Sequence, residues 1–159
     1  MGECAVGEVG EIVYRGPTVM REYWNKPQET DEAFRGGWFH SGDLCVMDDE
    51  GFITVVDRVK DMIISGGENI YCAEVEAAID AHPKVREVAV VGRPDPKWVE
   101  TPVAYVVPTD SGDPPEEADV IAFVKDRIAS YKKPSAVVVV DELPRNATGK
   151  VQKFKLRER

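Results

Sequence analysis

The apolar pattern changes character near Asp57, and no other feature constrains the fold as much. After that point, strand-like and helix-like periods alternate. Met62-Ile63-Ile64 is a short apolar strand that ends in Ser65-Gly66-Gly67-Glu68-Asn69, a glycine turn leading into a helix. From Ala73 to His82, Val75, Ala78 and Ile79 share one helical face, with Pro83 just beyond the end. Val85 to Val91 and Val103 to Val107 read as strands. Asp113-Pro114-Pro115-Glu116 has the form of a capping box with proline in the first turn. It predicts a helix on which Val120, Phe123, Val124, Arg127 and Ile128 repeat at helical spacing. Ala136 to Val140 is an apolar run, expected to be a central strand covered on both faces. The order β, α, β, β, α, β predicts a small α+β sandwich of roughly 100 residues, enough for a core of its own.

Before Asp57 the chain reads as strands and loops. Val9 to Tyr14 alternates and is stopped by Gly16-Pro17. Tyr23 to Pro27 is a turn, and Thr30 is expected to N-cap a helical turn ending at Phe34. Asp48-Asp49-Glu50-Gly51 signals a hairpin into the strand Phe52 to Val56. This part has few core positions and starts in mid-sheet. It is expected to be the β-rich remnant of a larger N-terminal domain. The predicted organisation is therefore residues 1–56 from that domain, a hinge at 57–61, and a mobile C-terminal α/β sandwich over 62–159.

Composition removes several function classes. No apolar run approaches the ~20 residues that span a bilayer, and Met1-Gly2-Glu3-Cys4-Ala5 lacks a signal-peptide pattern. Cys4, Cys45 and Cys72 are odd in number and lack metal-ligand spacing, so reduced thiols in a cytoplasmic protein are expected. A net charge of −9 excludes a generic nucleic-acid binder. The charge is uneven, however. Residues 143–159 hold six basic side chains and one acidic, which suits either a solvated end or a local phosphate site.

Four motifs could carry chemistry, and each has a plain structural reading. In Pro144-Arg145-Asn146-Ala147-Thr148-Gly149-Lys150, Pro, Asn and Gly make a loop, and its lysine is a compact charge suited to phosphate or carboxylate. With one glycine before the lysine it is not a P-loop, and taken alone it reads more readily as an exposed turn. His40-Ser41-Gly42-Asp43 places a carboxylate after glycine in a tight turn, where it could accept two hydrogen bonds from a ribose diol or simply form an Asx-turn. His40 is read as structural. Asp57-Arg58-Val59-Lys60-Asp61 is either a solvated edge strand with weak ion pairs or an arginine for a nucleotide sugar beside a hinge lysine. Gly66-Gly67 permits close approach by a ligand, or is a simple hairpin or loop.

Together, in this order, the motifs resemble the adenylate-forming superfamily of acyl-CoA synthetases, aryl-CoA ligases, peptide-synthetase adenylation domains and luciferases. Gly7-Glu8-Val9-Gly10-Glu11-Ile12 and Gly37-Trp38-Phe39-His40-Ser41-Gly42-Asp43-Leu44 are similar to the end of its large N-terminal domain. Asp57 to Tyr71 is similar to its hinge and glycine loop, and Pro144 to Lys150 to its C-terminal lysine loop. The Ile64-Ser65-Gly66-Gly67-Glu68-Asn69-Ile70-Tyr71 version resembles that of fatty-acyl and related CoA ligases.

The resemblance implies that a carboxylate, ATP and coenzyme A give acyl-CoA, AMP and pyrophosphate in two steps, with rotation of the small domain between them. It implies that Asp43 binds the ribose hydroxyls with help from Arg58, that Lys60 is the hinge, and that Gly66 and Gly67 line the pantetheine channel. Lys150 would meet the carboxylate and the α-phosphate. Magnesium would arrive with ATP, with no metal site in this segment. The partner would be the missing N-terminal domain with its phosphate loop and acyl pocket, so the segment alone is expected to be inert. Two departures stand out: Ile64 occupies the place of a second lysine found in some relatives, and Val99 follows Trp98 where many acyl-CoA ligases have glycine. An acyl-AMP ligase feeding a carrier protein and a non-catalytic regulatory or docking domain are the other readings. A lysine acetyltransferase acting on Lys150 is a further expected partner.

Overall fold

The computed structural model describes residues 2–158, and the chain forms two compact units, Met1–Lys60 and Asp61–Arg159. In the first unit, β1 (Val9–Tyr14), β2 (Phe39–Met47) and β3 (Ile53–Arg58) form an antiparallel sheet with β2 in the centre. Asp48 closes the β2–β3 turn as the sequence suggests: its Oδ1 accepts the N–H groups of Glu50 and Phe52, and Gly51 takes a φ of 85°. Only Leu44, Cys45 and Asp57 are buried among the described residues of this unit, in keeping with the few core positions in its sequence.

Three local expectations are corrected here. Helix α1 (Pro27–Ala33) begins with Pro27 in its first turn, so Thr30 lies inside it rather than at its N-cap. The Thr30 hydroxyl donates to the Lys26 carbonyl at 2.7 Å and accepts the Tyr23 N–H at 3.0 Å. His40-Ser41-Gly42-Asp43 lies within strand β2 and not in a tight turn. Strand β3, an edge of its sheet, runs on through Asp57 and Arg58 beyond the expected end at Val56, with Arg58 exposed and Asp57 buried.

The second unit is built on a long hairpin of β6 (Val85–Asp95) and β7 (Val99–Pro108). Beside it lie β4 (Ile63–Ser65), β5 (Glu68–Ile70) and β8 (Ala136–Val139), in the order β5-β4-β7-β6 with β8 parallel to β7. Successive side chains of the hairpin alternate faces. Val90, Ala104 and Val106 join Val75 and Ile79 of α2 (Cys72–Asp80) and Val120 and Val124 of α3 (Glu117–Lys125). On the other face, Ala89, Val91, Val103, Tyr105 and Val107 meet Leu143 and Leu156, the latter from α4 (Lys153–Arg157). Burial on both faces explains the near-continuous apolar runs of β6 and β7.

That arrangement corrects the reading of residues 136–140. The central strand is β7, whereas β8 flanks it and leaves Val138 and Val139 about two-fifths exposed. The glycine turn joins two strands, β4 and β5, rather than a strand and a helix. Helix α3 starts at Glu117 with no side-chain cap; Asp113 instead accepts a 2.6 Å bond from the Lys84 ammonium. Arg127 and Ile128 fall beyond its last turn, where the Arg127 guanidinium stacks on the Phe123 ring.

Candidate functional site

Asp43 and Arg58, fifteen positions apart, stand directly opposite each other across β2 and β3. The Arg58 Nε donates to the Asp43 Oδ1 at 3.1 Å, between half-exposed side chains. The sheet register makes this pair, aided by an irregularity in β2. Between the pairs Glu11–Leu44 and Val13–His40, β1 spends one residue while β2 spends three, Ser41, Gly42 and Asp43. Gly42 takes a φ of 74° there, a conformation glycine adopts without Cβ strain.

Two residues outside the expected site hold this bulge. Glu11 Oε1 accepts the Gly42 N–H at 3.0 Å, while its Oε2 accepts from His40 Nδ1 at 2.7 Å. His40 is thus structural, as the sequence suggests, but the structure is that of the Asp43 bulge. Burial pushes the Glu11 carboxyl up; the hydrogen bonds from His40 and Gly42 and the charges of His40 and Arg35 outweigh it and hold it below its ordinary value. A carboxyl with a depressed folded pKa contributes stability that is present above the unfolded pKa of about 4.3 and is lost as pH falls through the folded one. Glu11→Gln should therefore lower thermal stability at pH 7, with the gap to the native protein closing at pH 3. Melting curves at both pH values test this, and an equal gap at both would rule it out.

Lys60, the last residue of the first unit, lies exposed in a turn. Together with Arg58, His40 and Gly42 it lines a cleft of about 730 Å³ within that unit.

In the second unit, Gly66 and Gly67 form the two-residue β4–β5 turn with φ values of 60° and 90°. Both positive angles match a type I′ hairpin turn, for which Gly-Gly is a preferred pair. Trp98 lies against this turn. Its carbonyl accepts the Gly66 N–H at 2.8 Å, and a Cβ on Gly66 would come within 2.8 Å of its ring. Ile64 is half-exposed on β4, and its N–H donates to the Glu100 carboxylate at 3.2 Å. Val99, beside Trp98, has a φ of 73°, a strained conformation for a β-branched residue. It is 70% exposed, so little packing holds it there. Val99→Gly should relieve strain worth about 1–3 kcal/mol against about 1 kcal/mol of added unfolded-state entropy. A melting temperature a few degrees higher is expected, and an unchanged or lower one would refute the argument.

Lys150 is exposed in the loop after Leu143. Asn146 Oδ1 accepts from the Thr148 N–H, the Thr148 hydroxyl and the Lys150 N–H at 3.1, 2.8 and 2.9 Å. Gly149 turns the chain with a φ of 83°, and Arg145 and Val151 bridge its base. The sequence marks Asn146 as a loop former, but not as the acceptor of the Lys150 N–H. The signal is present, since an asparagine side chain readily bonds the backbone two residues on, as Asn146 does with the Thr148 N–H.

The structure thus brings Asp43 and Arg58 together, with Lys60 on the same unit, and places Gly66, Gly67 and Lys150 on the other. Among the described residues, no group of three or more His, Cys, Asp or Glu is placed to hold a metal ion, and no helix is long and apolar enough to cross a membrane.

Residues 74–150 match the family described as the AMP-binding enzyme C-terminal domain. The chain is 50% identical over 153 residues to a feruloyl-CoA synthase of Amycolatopsis sp., covering 96% of this chain and 31% of that protein. It is 47% identical over 149 residues to the long-chain-fatty-acid–CoA ligase FadD13 of Mycobacterium tuberculosis, covering 94% of this chain and 29% of the relative. The o-succinylbenzoate CoA synthetase of Bacillus subtilis, solved with its acyl-adenylate intermediate, superposes with a TM-score of 0.87 at 44% identity, over 97% of this chain and 31% of that one. The chain therefore spans about a third of the length of the relatives it matches.

Proposed function

Residues 74–150 are an AMP-binding enzyme C-terminal domain, and from that premise we propose that the chain is the C-terminal segment of an ATP-dependent acyl-CoA ligase. In the first step a carboxylate oxygen attacks the α-phosphorus of ATP and pyrophosphate leaves. In the second, the sulfur of coenzyme A attacks the acyl carbon of the adenylate and AMP leaves. The observation that carries this reading is the 50% identity to a CoA synthase across 96% of the chain, both units included.

The geometry supports distinct roles for the residues. The Asp43 carboxylate, held by Arg58 beside a glycine bulge, offers an acceptor for the two ribose hydroxyls. Lys60 ends one compact unit where the next begins, as a hinge residue would. Gly66 and Gly67 present bare backbone at a turn, which suits contact with the slender pantetheine arm. Lys150 supplies a positive charge where carboxylate and phosphate must approach each other. Its exposure also leaves it open to acetylation, which would cancel that charge.

The test is an assay of the full-length protein joined to this segment, run with a panel of carboxylates. Carboxylate-dependent exchange of pyrophosphate into ATP, followed by coenzyme-A-dependent release of AMP, is expected, with no turnover by residues 1–159 alone. Transfer of the acyl group to a carrier protein but not to coenzyme A would replace the ligase reading with that of an acyl-AMP ligase. Turnover by the isolated chain would overturn the division of labour.

A further inference from the structure

We propose that Asn146, backed by the Arg145–Glu87 ion pair, is the positioning device of Lys150, setting where the ammonium stands during adenylation. The proposal deepens the reading of Lys150 given above and rests on it.

A lysine ends four flexible bonds from its backbone, so its charge is placed no better than its Cα is held. Residues 146–150 are all exposed, and no apolar packing orders them. Asn146 takes over that task. Its side-chain oxygen accepts the Lys150 N–H at 2.9 Å, and its own N–H donates to the Lys150 carbonyl at 2.9 Å. Both backbone groups of Lys150 are therefore tied to one residue. The same Asn146 oxygen takes both donors of Thr148, and the Asn146 carbonyl accepts the Gly149 N–H at 3.0 Å.

A second tie runs from the sheet. Glu87 sits on the eleven-residue strand β6, paired with Val107. Its carboxylate accepts from Arg145 Nη2, while Arg145 Nη1 donates to the Gly149 carbonyl at 2.6 Å, one residue before Lys150. Glu87 thus transmits the rigidity of β6 to the loop through a planar guanidinium, whose fork can hold two acceptors at once. Lysine in place of Arg145 would lose that second arm.

The experiment uses the full-length protein with Lys150→Ala, Asn146→Ala, Asn146→Asp and Glu87→Gln, alone and with Asn146→Ala combined with Lys150→Ala. Adenylation is read by pyrophosphate exchange, and folding by thermal melting. Asn146→Ala should lower the adenylation kcat about 10- to 100-fold, the scale of a small misplacement. KM for ATP and carboxylate should stay within about twofold and the melting point should hold. Asn146→Asp, which keeps an acceptor at the same atom, should recover most of the rate. The double variant should be no slower than Lys150→Ala, because a positioning residue adds nothing once its lysine is gone. If Lys150→Ala abolishes adenylation while Asn146→Ala and Glu87→Gln behave as the native protein, the positioning proposal fails and the Lys150 reading stands. If Asn146→Ala loses rate and melting point together and Asn146→Asp rescues neither, the residue is structural and the proposal also fails. Adenylation near the native rate in Lys150→Ala removes both.

Discussion

Replacing Lys150 by alanine in the full-length protein is expected to cut adenylate formation about 10²- to 10³-fold while leaving thioester formation from pre-made acyl-adenylate near its native rate. The magnitude is that of losing one preorganised charge or donor at a developing oxyanion, about 3–4 kcal/mol. On the ligase reading proposed above, the asymmetry follows from the chemistry of the two steps. In the first, two anions must meet, and charge moves onto phosphate oxygens as the new bond forms. In the second, a thiol attacks an already activated carbonyl and no anion must be brought against phosphate. One cation needed in one step only is what a mobile domain can supply and then withdraw. Measuring both half-reactions on the same preparation tests the assignment. Equal loss in both would mean that Lys150 supports the fold or a shared substrate contact.

The second large effect is structural. Glu76 of α2 accepts two bonds through one oxygen, from the Val90 N–H at 2.7 Å and from the Lys153 ammonium at 2.7 Å. It joins α2, β6 and α4 at a place where both side chains of the ion pair are about four-fifths buried. Burial pushes the Lys153 ammonium down; the charge and hydrogen bond of Glu76, with Cys72 and Asp61 nearby, outweigh it and hold its pKa above the ordinary value. Glu76→Ala should cost about 3–5 kcal/mol, because it strands a buried charge and a backbone N–H together. Adding Lys153→Met, which removes the stranded ammonium and keeps an apolar stem, should recover a large part of that loss. Denaturant melts of the two variants decide the matter. A double variant as unstable as the single one would show that the loss lies in packing and the Val90 bond instead. The same pair contributes stability that is present below the unfolded lysine pKa of about 10.4 and lost as pH rises through the raised folded value.

Much of this protein was legible residue by residue. Val75, Ala78 and Ile79 announced the buried face of α2, and Val103 to Val107 a covered strand, because burial imposes a period that any single element displays. Asp48 and Gly51 marked their turn through chemistry contained in four residues. Capping was less legible. Asp113 carries the right side chain at the right spacing, yet it pairs with Lys84 from another element, so the helix starts later. Thr30 failed as a cap because Pro27 is the better first-turn residue and claimed the helix start.

By itself the sequence determined the local periods, the glycine turns, the exposed lysine loop and the order of motifs that marks the family. Each depends on neighbours within a few positions, and physics at that range leaves its pattern in the chain. Tertiary structure alone decided that β7 rather than β8 takes the centre of the sheet. It alone set Arg58 opposite Asp43 across a bulge held by Glu11, and tied the Lys150 loop to Glu87 on β6. These pairings join residues from 15 to 58 positions apart. An alternating pattern tells which residues share a face. It does not tell which strand lies beside them or in what register, because backbone pairing is the same for every side chain.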